Sequence, residues 1–70
     1  MYDYSKLLGR IKECGYTQEI FARALRISAS TLNLKLNNNA FFKQSEIKTM
    51  CKVLNISKED VGLYFFTEKV

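Results

Sequence analysis

Hydrophobic residues recur at intervals of three and four along most of the chain, the spacing that places them on one face of an α-helix. Asp3 stands at the N-cap position of the first predicted helix, residues 4–14, and Gly15 follows where a glycine commonly ends a helix. Both ends of this helix therefore carry residues with suitable chemistry. Its predicted inward-facing residues are Tyr4, Leu7, Leu8, Ile11 and Cys14.

Two short helices are predicted next, over residues 18–25 and 29–37, with a connection of three residues between them. Thr17 and Ser28 mark their starts, because a hydroxyl oxygen can accept a backbone N–H of the first turn. Residues 37–39 are all asparagine and end the second of these helices, since asparagine tolerates left-handed and turn conformations. The buried residues predicted for this pair are Ile20, Phe21, Ala24, Leu25, Leu32 and Leu36.

The second half of the chain predicts a fourth helix over residues 44–54 and a fifth over residues 58–64. Phe41 and Phe42 precede the fourth helix and are predicted to anchor the loop to the core. Residues 65–70 are β-prone and are predicted to form an extended arm. The inward-facing residues predicted here are Ile47, Met50, Cys51, Leu54, Val61 and either Tyr64 or Phe65. The fold class expected is an all-α domain of five helices.

The composition limits the classes of function. Seventy residues suffice for one domain, residues 1–70, with a modest core. The chain has no histidine, no paired carboxylates at useful spacing and no glycine-rich phosphate loop, so we expect neither an enzyme nor a cofactor. Cys14 and Cys51 are 37 positions apart and predict no metal site. No membrane partner is expected, because there is no long apolar run and no signal peptide.

Positive charge is concentrated in the middle of the chain. The net charge is +4, yet residues 20–52 alone carry +5, from six Lys and Arg against Glu46. Such a concentration is typical of a surface that faces phosphate groups. A basic face exposed only to solvent would give the same pattern, so charge alone does not identify the partner.

The segment from Thr17 to Asn37 reads TQEIFARALRISASTLNLKLN, which is the pattern of two short helices joined by a tight turn. With FFKQSEIKTMCKVLNIS further along, it resembles the Cro and repressor type of helix-turn-helix found in small regulators of temperate phages and their bacterial relatives. The resemblance covers residues 4–64. It implies a five-helix domain that binds double-stranded operator DNA in the cytoplasm of a bacterial host. The small size suggests a Cro-like antirepressor or a modulator of repression.

The resemblance also implies which residues contact DNA. Gln18 is expected to hold a phosphate at the start of its helix. From the following helix, Asn33 can pair with adenine through two hydrogen bonds, and Ser30 can donate to a base or a phosphate. The positions assigned to base edges are Ser28, Ala29, Ser30 and Asn33, and those assigned to the DNA backbone are Gln18, Thr31, Lys35, Asn37 and Asn38.

Two residues depart from the pattern of that family. Arg26 stands at the first turn position, where the family usually has a left-handed glycine, and that conformation costs another residue about 1 kcal/mol. Leu34 stands on the outer side of the second helix of the motif, where polar or basic residues are common. Contact with a thymine methyl group, contact with a partner protein and partial burial all fit Leu34.

Two functions remain open at this point. The first is a Cro-like regulator that binds operator DNA, as a homodimer because one copy offers few base contacts. The second is a modulator of repression that binds a phage repressor protein and controls its DNA binding, with weak or no DNA binding of its own. In both cases the predicted assembly patch is Tyr64, Phe65 and Phe66, since a chain this small cannot easily bury nine aromatic residues.

Overall fold

A computed structural model of the chain describes residues 1–70 and contains five α-helices, which confirms the predicted all-α fold. The predicted helix boundaries agree with the observed ones to within one residue, except that the fifth helix begins as a single turn of 3-10 helix. None of the helices has the length and hydrophobicity required to cross a bilayer. The elements are α1 (Ser5–Glu13), α2 (Gln18–Ala24), α3 (Ala29–Leu36), α4 (Gln44–Leu54), the 3-10 turn (Lys58–Asp60) and α5 (Val61–Phe65).

All five helices contribute to one hydrophobic core. Phe21, Leu32 and Met50 are completely buried and join α2, α3 and α4 to the same core as Leu7 of α1 and Phe65 of α5. Burial of side chains of this size stabilises the fold by about 1.5–3 kcal/mol each. The core comprises Tyr4, Leu7, Ile11, Phe21, Ala22, Leu25, Leu32, Leu36, Met50, Leu54 and Phe65.

The starts of α2 and α3 are capped as the sequence predicts. The Thr17 hydroxyl oxygen accepts the N–H of Ile20 at 3.2 Å, and the Ser28 hydroxyl oxygen accepts the N–H of Thr31 at 3.0 Å. The predicted cap at Asp3 is wrong by one residue, because α1 has Tyr4 as its N-cap. A short connection therefore joins α2 to α3, and the two helices pack against each other.

Four helices end at a residue with left-handed backbone. Gly15 has φ 84° and ends α1, as predicted, whereas Arg26 ends α2 with φ 60°. At Arg26 the chain reverses so that the N–H of Ile27 donates to the Ala22 carbonyl at 3.0 Å. A Cβ atom is disfavoured in this conformation, so the arginine is accommodated at a cost that glycine would avoid. The other two such residues are Asn38 and Asn55.

Helix α2 is rotated relative to the prediction. Ile20 is 47% exposed and Ala24 is also exposed, so their predicted burial is wrong. Ala22 is buried instead, beside Phe21 and Leu25. Successive residues differ by about 100° around a helix, and a stripe centred between Phe21 and Ala22 therefore leaves Ile20 and Ala24 on the outer sides.

Three further hydrophobic residues that were predicted to face the core are exposed instead. Phe41 is 87% exposed, whereas its neighbour Phe42 is half-buried and packs against the core. Phe42 packs edge-to-face on Tyr4, with ring centroids 5.4 Å apart. Leu8 and Cys14, which were predicted to face inward from the first helix, are exposed as well. The face of α1 that meets the core is narrower than the predicted one.

The two termini run antiparallel beside each other. The N–H of Asp3 donates to the Thr67 carbonyl at 2.7 Å, and the N–H of Lys69 donates to the Met1 carbonyl at 2.9 Å. Tyr2 and Glu68 form the isolated β-bridge between these hydrogen bonds. The predicted extended arm, residues 65–70, is therefore found only from Thr67 onward, paired with the first residues of the chain, because Phe65 belongs to α5 and Phe66 caps it.

The left-handed Arg26 leads to a prediction about stability. We expect Arg26→Gly to raise the free energy of unfolding by about 0.5–1 kcal/mol, because glycine enters the left-handed region without a Cβ clash. Arg26→Ala is the matched control, since it removes the same charge and keeps the Cβ. Urea denaturation of the three proteins measures the effect, and an equal gain for both variants would assign it to charge.

Candidate interaction surfaces

The residues predicted to contact DNA do not form one exposed polar face. Most of the exposed ones lie on α3 or at its ends, and Gln18 lies at the start of α2. Leu34 is 49% exposed beside them, so about half of its surface is open to a partner. Five of the predicted residues are exposed: Gln18, Ser28, Ser30, Asn33 and Asn37. Three are half-buried, namely Ala29, Thr31 and Asn38, and Lys35 is buried.

Several of these polar groups already have partners within the chain. The Ser28 hydroxyl, besides capping α3, donates to the Thr31 hydroxyl at 2.8 Å. The Asn37 side-chain amide donates to the backbone carbonyl of Asn33 at 2.9 Å and to its side-chain oxygen at 2.6 Å. Asn33 is the residue predicted to read adenine, and its side-chain oxygen already accepts one hydrogen bond.

Lys35 differs most from its predicted position. Only 6% of it is exposed, and its Nζ lies 2.5 Å from Oε1 and 2.6 Å from Oε2 of Glu46, which is 8% exposed. The pair joins the last turn of α3 to the first turn of α4. Burial of the ammonium group does not support the prediction that Lys35 contacts a phosphate.

Glu46 is a structural residue that the sequence prediction missed. Its Oε1 also accepts the backbone N–H of Lys43 at 2.8 Å, at the start of α4. Burial by itself would raise the pKa of Glu46, but the hydrogen bonds from Lys35 and from Lys43 outweigh it and lower the pKa below its ordinary value. The carboxylate is therefore ionised at neutral pH. The one sequence signal for this role was the position of Glu46 in the first turn of a predicted helix.

Asn38 is also occupied within the chain. Its side-chain oxygen accepts the N–H of Tyr2 at 2.8 Å, and its side-chain amide donates to the Tyr2 carbonyl at 2.8 Å. These two hydrogen bonds fix the N-terminal segment at the C-terminal end of α3. Asn38 therefore positions the chain terminus through both polar atoms of its side chain.

An apolar depression lies where the termini meet the loop before α4. We call it the aromatic hollow; it has a volume of about 140 Å³. Phe66 stands at its edge, 51% exposed, with its ring 5.7 Å from that of Tyr2 in an edge-to-face arrangement. Phe65, in contrast, is buried, so the predicted patch is divided between core and surface. The lining residues are Tyr2, Tyr4, Phe41, Phe42, Ile47, Phe65 and Phe66.

No group of three or more His, Cys, Asp or Glu side chains is placed to hold a metal ion. Both cysteines are free thiols, and burial raises the pKa of the Cys51 thiol, which keeps it neutral at physiological pH. The outer face of α3 and the aromatic hollow are the two candidate interaction surfaces described so far.

The comparisons with known proteins agree with a whole-chain relationship. The family model described as "Protein of unknown function (DUF739)" matches residues 1–68. The chain belongs to this family. It is also similar to the solution structure of the modulator of repression (MOR) of the temperate bacteriophage TP901-1 from Lactococcus lactis, with 45% identity and a TM-score of 0.80. That match covers 99% of this chain and 93% of the other. Comparison with curated protein sequences finds no match.

The similarity spans every surface described above, because almost the full length of both chains is aligned. The aligned region includes all five helices and both termini of this chain. A known phage regulator therefore shares the entire fold of this chain and not only its helix pair.

The ion pair leads to a prediction about stability. We expect Lys35→Met to lower the free energy of unfolding by about 3 kcal/mol, because it leaves the Glu46 carboxylate buried without its ammonium partner. Adding Glu46→Gln should recover part of this loss, since the amide is neutral and its oxygen can still accept the N–H of Lys43. A double-mutant cycle by urea denaturation measures the coupling, and strictly additive effects would show that the pair is not coupled.

The lowered pKa of Glu46 also predicts the pH dependence of stability. A carboxylate whose pKa is lower in the folded protein stabilises it above the unfolded-state pKa and loses that effect as the pH falls through the folded-state pKa. The wild type should therefore have a higher free energy of unfolding than Glu46→Gln at pH 7. This difference should shrink as the pH falls below 4.5, the ordinary pKa of a glutamate. Unfolding measured between pH 7 and pH 3 checks this, and a constant difference would contradict it.

Proposed function

We propose that this protein is a modulator of repression, which binds a phage repressor protein and controls the repressor's binding to operator DNA. The similarity to the TP901-1 modulator of repression over nearly the full length of both chains is the observation that carries the proposal. The surface chemistry of α3 supports it independently.

The outer face of α3 carries no charged side chain. Lys35 is the one cation among Ala29–Leu36, and its ammonium group is paired inside the protein. Contacts with phosphates provide most of the affinity of DNA-binding proteins, and a helix in the major groove is held between two phosphate backbones. A helix without exposed cations, with Leu34 on its outer side, is better suited to contact a protein than to read DNA.

The aromatic hollow supports the same function. Its volume of about 140 Å³ resembles that of an apolar cavity of about 150 Å³ that holds one benzene ring. Protein interfaces gain most of their energy from a few apolar or aromatic anchors that fill such depressions. We therefore place the main repressor contact at this hollow, with Phe66 at its edge.

The Cro-like function is the second candidate. Gln18 and Ser30 remain exposed at the positions that the helix-turn-helix resemblance assigns to phosphate and base contacts, and Arg23 and Arg26 are exposed on and after α2. These residues could give weak binding to DNA. Under this function the chain would bind operator DNA by itself, whereas a modulator requires the repressor.

We expect Phe66→Asp to weaken binding to the cognate repressor by at least about thirtyfold, the effect of removing an interface anchor worth about 2 kcal/mol. Ile20→Asp is the matched control, because Ile20 has nearly the same exposure, 47% against 51%, and lies on α2. Titration calorimetry measures the affinities, and circular dichroism verifies that both variants remain helical.

Three outcomes separate the functions. Weakening by Phe66→Asp alone supports a repressor contact at the aromatic hollow. Equal affinity for all three proteins would place the contact elsewhere. Failure of the wild type to bind the repressor, together with tight binding to operator DNA, would overturn the proposal in favour of the Cro-like function. Light scattering of the wild type and of Phe66→Asp, each without the repressor, shows whether the same patch forms a homodimer.

A further inference from the structure

A second open surface lies along α4, on the side that faces the end of the chain. It is a groove of about 630 Å³ between α4 and the segment that leads into α5, and we call it the basic groove. Ile47, Cys51, Ile56 and Val61 are its apolar residues, and all four also pack against the core. The floor is therefore built on the core and does not need to form on binding.

Three lysines line the same groove. Lys48 and Lys52 are one helical turn apart on α4, and Lys58 lies opposite them at the start of the 3-10 turn. All three are exposed, and the ion pairs of the structure involve other residues. No aspartate or glutamate lines the groove. An apolar floor with a basic rim is complementary to a ligand that is apolar on one side and acidic at its edges.

We propose that the basic groove binds an acidic amphipathic segment of a partner protein, with apolar side chains on its floor and carboxylates at Lys48, Lys52 and Lys58. The 11 residues of α4 give the groove a length of about 16 Å, which corresponds to three turns of a bound helix. The floor meets the aromatic hollow only at Ile47, which lines both. Binding here does not require that the protein bind a repressor.

Two other occupants fit the groove less well. A DNA duplex presents its phosphates on a convex surface and has no apolar edge to cover Ile47 and Ile56. A second copy of this chain has a net charge of +4 and is repelled by the lysines. An acidic amphipathic segment can both cover the apolar floor and pair with the lysines of the rim.

The test uses a fluorescent synthetic peptide of about twelve residues, with leucines at helical spacing on one face and glutamates elsewhere. We expect the peptide to bind the intact protein, with affinity that falls as salt rises. Replacing both Lys48 and Lys52 by glutamate should weaken binding at least about tenfold, through loss of attraction and gain of repulsion. The matched control replaces Lys6 and Lys12, two exposed lysines of α1, in the same way.

Fluorescence anisotropy measures the affinities, and amide chemical shifts of the ¹⁵N-labelled protein locate the bound peptide. Shifts confined to the groove, with tenfold weakening in the α4 variant and little change in the α1 variant, support the proposal. It is overturned if the peptide does not bind, if both variants weaken binding equally, or if a peptide with lysine in place of glutamate binds as well. Competition by random-sequence duplex DNA for the same lysines would assign the groove to nucleic acid instead. If the wild type does not bind the repressor but still binds the peptide, only the proposed function is overturned.

Discussion

The buried ion pair between Lys35 and Glu46 determines which surfaces of this protein carry charge. A buried pair is tolerated only when both groups are well hydrogen-bonded, and here the carboxylate accepts the ammonium through both oxygens and also the N–H of Lys43. The pair fixes the end of α3 against the start of α4 and removes the only cation of α3 from the surface. The exposed cations of the central segment therefore lie on α2, after α2, at the N-cap of α4 and on α4.

The α2–α3 pair first suggests DNA binding, but this distribution of charge does not support that function. The α2–α3 pair has the order and caps of a helix-turn-helix, but the outer face of α3 is neutral and includes an exposed leucine, Leu34. The apolar surface gathers instead at the aromatic hollow, where Asn38 holds Tyr2 beside Phe66. The C-terminal end of α3 is thereby connected to the surface that we propose as the repressor contact.

The local sequence predicted the helices and their ends well, because caps and left-handed positions depend on neighbouring residues. Thr17, Ser28 and Gly15 act as their chemistry indicates. Features that depend on distant residues were not predictable. Lys35 appeared to be one more surface lysine, since its partner stands 11 residues away and belongs to another helix. The exposure of Phe41 depends in the same way on Phe42 taking the place against the core.

A single binding experiment tests the central claim, that the protein acts on a repressor and not directly on DNA. Labelled operator DNA is saturated with the cognate repressor, the protein is titrated in, and the anisotropy of the DNA is followed, with a parallel titration that lacks the repressor. The account predicts that stoichiometric amounts of the protein change the repressor's occupancy of the operator, while the protein alone leaves the DNA signal unchanged over the same range. Tight, sequence-specific binding of the protein alone, with no effect on the bound repressor, would contradict it.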